Sequence, residues 1–247
     1  MCKHLPVFII FIFAVLGCAS TQTIESTQVL PSDIYQGYNI SAKKNSTSVT
    51  ATFRVASAGG TTIDLDAPCK IELNGQPMRE SAPFFLKGTT YEFSTNEFLS
   101  KVQFQYTDAE AKVYTNESSI NALEIVQNPG ELSINQSNVI QFSRPVAKNE
   151  EVWISVNSSE TPPEVQSNAT NNQKSDSTNY SIDEQIDVEE GKSALVIDPA
   201  KLKDFKLGKA TVKITVKKRE IIKQTTNKGG EISFSYESTP INVNIVN

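Results

Sequence analysis

The sequence predicts an all-β chain folded as two tandem β-sandwiches. Three observations predict it. Apolar residues alternate with polar ones along most of the chain, the mark of strands with one buried face. Ser, Thr and Asn make up 66 of the 247 residues, a composition poor in helix formers and suited to strands and turns. Turn signals recur at roughly 8–12-residue spacing, as in a sandwich and unlike a parallel α/β fold. The length suits two units of about 100 residues, each able to bury a core.

The elements follow in chain order. Residues 1–17 read as an export signal: Lys3 supplies a positive start, and Val7 to Leu16 is an unbroken apolar run. Ten residues are too few to cross a bilayer, which takes about 20. The run ends in Val15-Leu16-Gly17-Cys18. This resembles the bacterial lipobox, with Leu16 larger than the residue usual there. The resemblance implies cleavage between Gly17 and Cys18, acyl chains on the Cys18 thiol, and a lipid bilayer as the first partner. Two or more acyl chains anchor firmly where one does not. Ala19 follows the cysteine where an aspartate would signal retention, so the implied location is the cell envelope, at the outer membrane. Residues 18–31 are polar with few aliphatics and read as the lipidated cysteine and a flexible tether.

Residues 32–128 form the first predicted sandwich. Val49, Ala51, Phe53 and Val55 alternate with Thr50, Thr52 and Arg54, and Gly59-Gly60 turns the chain. Ile63, Leu65, Ile71 and Leu73 continue up to Asn74-Gly75, a type I′ hairpin signal. Tyr91 with Phe93, then Val102, Phe104 and Tyr106, mark two strands. The loop 108–111 leads into Lys112 to Thr115, and Ile120 to Val126 reads as a last strand, ended by Asn128-Pro129-Gly130.

Residues 129–247 form the second. Leu132 with Ile134, Val139 to Ser143, and Val152, Ile154 and Val156 open it. Residues 157–179 hold two prolines and many Asn and Ser, and read as a disordered loop. Leu195 with Ile197, then Val212, Ile214 and Val216, follow. Ile232, Phe234 and Tyr236, and then Ile241, Val243 and Ile245, close the chain. The one helical candidate is Pro199 to Phe205, with Asp198 as cap. Glu117-Ser-Ser-Ile-Asn121 echoes Glu237-Ser-Thr-Pro-Ile-Asn242, which fits a duplication with the loop inserted in the second copy.

Two segments carry a likeness to a larger group. Tyr106-Thr-Asp-Ala-Glu-Ala-Lys-Val-Tyr114 is similar to an Asp-x-Asp-Gly hairpin, with Ala111 where glycine is usual. Phe142-Ser-Arg-Pro-Val-Ala-Lys-Asn-Glu150 is similar to the opening strand of a C-terminal module. With the lipobox and tether, the chain resembles Gram-negative surface lipoproteins built from tandem Ig-like or fibronectin-like modules. The resemblance implies Ig-like sandwiches and no particular activity.

The chemistry is bounded by what the body lacks. The one histidine is His4, inside the signal, so nucleophile–histidine catalysis and the usual zinc sites are excluded from the mature chain. With Lys3 removed the net charge passes from −5 to −6, and no basic stripe with interleaved aromatics occurs, so nucleic acid is not an expected partner. Cys69 is the sole thiol of the body and reads as a small buried hydrophobe in a strand. Asp183, Glu184, Asp187, Glu189 and Glu190 form an acidic cluster, either a solvated loop or a calcium site, and Asp64 with Asp66 is a weaker candidate. No other cofactor is expected. Trp153 lies between Val152 and Ile154, so it should face away from the core, where it either offers an aromatic plate to a protein or a sugar or covers the interdomain joint or lies under a loop. The expected function is a non-enzymatic, lipid-anchored envelope protein, structural or protein-binding. A glycan-binding accessory lipoprotein is the alternative, and a carboxylate-dependent hydrolase a third reading.

Overall fold

The computed structural model describes residues 23–81, 88–158, 180–186 and 188–247. The strands of the first half are β1 (Ile24–Glu25), β2 (Ile34–Lys43), β3 (Ser46–Val55), β4 (Ile63–Asp64), β5 (Lys70–Leu73), β6 (Gln76–Pro77), β7 (Arg79–Ser81), β8 (Thr90–Thr95), β9 (Lys101–Thr107) and β10 (Val113–Ser119). Those of the second are β11 (Glu131–Ser133), β12 (Asn138–Gln141), β13 (Glu150–Ser158), β14 (Tyr180–Ile186), β15 (Ala194–Ile197), β16 (Gly208–Ile221), β17 (Gly230–Glu237) and β18 (Ile241–Val246). The fold is an all-β sandwich, as the alternation predicts. The expected helix is a single 3-10 turn, Pro199–Leu202, with the Asp198 side chain accepting from Ala200 N.

One ten-stranded sheet forms the backbone of the molecule. Its main path runs β11-β18-β16-β17-β2-β3-β8-β7, and β13 and β14 add to the other edge of β16. Strand β16 spans both halves. Its residues 208–212 pair with β18 and its residues 215–221 pair with β17, on the same edge. Between those registers, two residues of β16 face the three residues Ser238, Thr239 and Pro240, so β17 and β18 are one line broken by a bulge. The bulge suits Pro240, which has no N–H to give a ladder. The Ser238 hydroxyl accepts from Ile214 N at 3.0 Å, and Ser238 N donates to Ile214 O at 2.9 Å.

On the first half, β17 runs parallel to β2 over eight residues, from Gly230 opposite Gln36 to Glu237 opposite Lys43. The approach is close: a Cβ on Gly230 would lie 2.2 Å from Gln36 O, so only glycine fits. The smaller sheet β10-β9-β5-β6 covers the inner face. Tyr38 of β2 stacks on Phe104 of β9 with ring centroids 4.1 Å apart, and Phe53 of β3 meets Tyr106 at 4.6 Å. On the second half the ribbon β12-β15 supplies the covering layer, with Ile140 and Leu195 paired and buried.

Four expectations are corrected. The boundary at 128/129 does not divide the sheet, because β17 and the end of β16 complete the first half. Ile120 to Val126 is not a strand but an extended linker with a single bridge, Ile125 to Phe142. Its buried residues Ile120 and Leu123 are three apart, which is not strand spacing. The tether does not run free to residue 31. Ile24 N donates to Thr62 O, β1 pairs with β4, and the buried Ser26 hydroxyl accepts from Asp66 N. Asn157 and Ser158 belong to β13, while the rest of the expected loop, 159–179, lies outside the described residues.

Candidate functional site

Trp153 sits in β13 between Gln185 of β14 and Thr215 of β16, on the outer face of the large sheet, as its alternation predicts. It is half-buried. The Lys217 ammonium stands 3.7 Å from the centre of its ring, a cation–π contact that occupies one ring face. Register continues the same row through Glu237 and Lys43. Glu237 bonds Lys213 at 2.9 Å and Lys43 at 3.0 Å. The hydrogen bond from Lys213, with Lys43 beside it, holds its carboxyl below the usual range. The next row, Lys217, Ser235, Ser41, Ser48 and Ser94, is hydroxylic. The outer face is therefore polar and charge-paired, with one tryptophan already capped.

The acidic cluster does not converge. Asp183 and Glu184 are successive residues of a strand and point to opposite faces. Glu184 pairs with Lys201 at 2.5 Å, and Glu189 lies 3.7 Å from Lys192. Glu190 is exposed, and Asp187 lies outside the described residues. Among the described residues no three His, Cys, Asp or Glu side chains come close enough to hold a metal. Asp64 accepts from the Tyr91 hydroxyl at 2.9 Å, and Asp66 is held through its backbone by Ser26. Cys69 is buried but lies in the turn just before β5, not in the expected strand. Desolvation raises its thiol pKa, against a hydrogen bond with Ser26, so it has the character of a core residue. Gly17 and Cys18 lie outside the described residues.

A shallow depression of about 190 Å³ is lined by Glu150, Glu151 and Glu189. It is the place where a carboxylate pair could have served hydrolysis, but Glu150 is committed elsewhere. Its oxygens accept from Arg144 Nη1 at 2.8 Å and Nη2 at 2.9 Å. The remaining Arg144 donors go to the carbonyls of Ala122, Pro145 and Asn121. All five guanidinium N–H groups are thus satisfied.

That arginine belongs to a seam that sequence reasoning missed. Glu124 accepts from the Tyr236 hydroxyl and from Thr239 N, and the Tyr236 ring packs on Phe98 at 5.0 Å. Asn116 accepts from Lys223 N and Gln224 N and donates to Gln224 O. Ser118 donates to Glu220, whose burial raises its pKa but is outweighed by Ser118 and Lys218, leaving the carboxyl below its usual range. A cleft of about 340 Å³ remains along this seam, between β10 and the end of β16. The partners of Asn116, Ser118 and Glu124 are about 100 residues away in sequence, so no local pattern signals them.

No family model matches the chain, and no curated protein matches it. Among solved structures it is similar to a mutant of Salmonella alpha-2-macroglobulin, at 8% identity and a TM-score of 0.23 over 83% of this chain. It is similar also to chicken CNTN1 FN1–FN3 domains, at 8% identity and a TM-score of 0.21 over 86% of this chain. The chain spans 15% of the first of these proteins and 66% of the second. Likeness at that level carries no fold or function across, and the all-β assignment stands on the strands themselves.

Proposed function

We propose that this chain is a non-enzymatic, lipid-anchored protein of the bacterial cell envelope that acts as a binding or structural module. The observation that carries this reading is the polarity of the fold. Residues 24–34 lie at one end, where Ile34 opens β2 and Ile221 closes β16 beside Glu231. Strand β13 runs the other way and ends with Ser158 opposite Ala210, so both arms of the 158/180 connection leave at the far end. Eleven residue steps along β16, from Ala210 to Ile221, separate the two ends, about 37 Å at 3.4 Å per residue. The continuous sheet and the seam make that span a rigid spacer. An anchor on Cys18 would hold one end and present the other to partners. A protein partner is favoured over a stacked sugar, because Lys217 already occupies one face of Trp153.

Metabolic labelling with a fatty acid tests the anchor. Wild type is expected to incorporate label and to float with membranes, and Cys18→Ser to do neither. An unlabelled wild type that behaves as Cys18→Ser does would overturn the anchored reading.

A further inference from the structure

The end of the first half where the tether arrives carries an unusual surface. Leu30 is 68% exposed, Val113 52% and Ile221 84%. Three contacts bring them to one tip. Leu30 shares a depression with Asp108, Lys112, Tyr114 and Thr225 to Asn227, which places it beside the start of β10. Thr226 donates to Ile34 O, tying the loop after β16 to the start of β2. Thr115 N donates to Gln224 Oε1 at 2.8 Å, tying that same loop to β10. Leu30 stands at the end, with Val113 and Ile221 flanking it on the two sheets. Lys112, Lys223 and Lys228 are exposed around them, Lys228 3.4 Å from Asp33, and Glu110 is exposed in the same depression as Leu30.

The chain outside the described fold says what this tip meets. Ile24 is already docked on the first half. Only six residue steps join it to Cys18, a reach of about 21 Å when fully extended. On the reading that Cys18 is acylated, on which this inference rests, Ile24 cannot stand farther than that from the bilayer, and the half on which Ile24 is docked is the half that carries the tip. We propose that the tip is a membrane-contact surface: Leu30, Val113 and Ile221 enter the headgroup boundary of the bilayer that holds the acyl chains, with the lysines at headgroup level. Exposed aliphatics flanked by cations are the side chains that interfacial contact favours. The contact would orient the body, about 37 Å long, away from the bilayer instead of leaving it to swing on the tether.

The test places a probe at each end of the acylated, mature protein in phosphatidylethanolamine–phosphatidylglycerol vesicles that contain a nitroxide-bearing lipid quencher. Leu30→Cys, Ile221→Cys and Val196→Cys each take one fluorophore; Cys69 is buried and does not compete. Val196 is also exposed, at 57%, but lies on the second half. Emission at positions 30 and 221 is expected to fall at least twofold on adding quencher lipid, with position 196 unchanged. Equal emission at all three sites, in protein that floats with the vesicles, would overturn the contact and leave the anchor standing. Protein that takes up no fatty acid and does not float would remove the anchor itself.

Discussion

Asp108 shows how one buried carboxylate can be wholly structural. It is 1% exposed, and its oxygens accept from Glu110 N at 2.9 Å, Lys112 N at 3.0 Å and the Tyr114 hydroxyl at 3.1 Å. Those bonds close the β9–β10 hairpin, and closing it forces Ala111 to φ = 60°. That is the left-handed region, where a Cβ costs about 1–2 kcal/mol and glycine pays nothing. Ala111→Gly is therefore expected to stabilise the fold by about 0.5–1 kcal/mol, the gain being trimmed by the looser unfolded chain. For a protein of this size that is roughly 1–4 °C in Tm. Ala111→Val should lower Tm, because a β-branched side chain is excluded there. Thermal melts of the three proteins check the order Gly above Ala above Val; any other order refutes the strain argument.

At the scale of elements, the linker after β10 is held by a few backbone bonds and by side chains in place of a ladder, and Arg144 binds the carbonyls of Asn121 and Ala122. The Arg144 side chain is 19% exposed and that of Glu150 4%. Removing one partner of a buried pair strands the other charge, which costs about 3–5 kcal/mol. Arg144→Met is expected to cost that much in urea unfolding, since it also frees three carbonyls of the linker and its flank. A loss under about 1 kcal/mol would show that the Arg144 bonds do not hold the linker. Which elements were legible in sequence follows from the same physics. Strands β3, β9 and β16 read cleanly because most of their inward residues are aliphatic or aromatic. Strand β2 did not, because Gln36, fully buried, occupies an inward position and Gly37 breaks the polar face. Asn74-Gly75 was legible because its turn is local, and both residues do take positive φ, 51° and 78°. The outward direction of Trp153 was legible from its neighbours in β13. Its Lys217 cap was not, because a partner on another strand leaves no mark in local spacing.

At the scale of the molecule, β17 decides how many folding units there are. It enters the first half by pairing with β2, across about 194 residues of chain, and brings the buried Ile232 and Phe234 into that half's core. A fragment ending at residue 128 would lack those side chains and leave the parallel edge of β2 unpaired. An unpaired edge of eight residues, Gln36 to Lys43, whose inward face includes Tyr38 and Ile40, invites aggregation when it has no neighbour. The full mature chain is therefore expected to unfold in one calorimetric transition, with calorimetric and van't Hoff enthalpies equal. The 19–128 fragment should show no near-ultraviolet circular dichroism. Two resolved transitions, or a 19–128 fragment with a native-like aromatic spectrum, would mean that the halves fold independently and that the β2–β17 ladder merely joins them. A single transition would instead mean that any duplication behind the Glu117 and Glu237 echoes no longer leaves two separable domains. It would also bear on function, because a cooperative rod transmits the orientation of its anchored end to its far end, and a hinged pair does not.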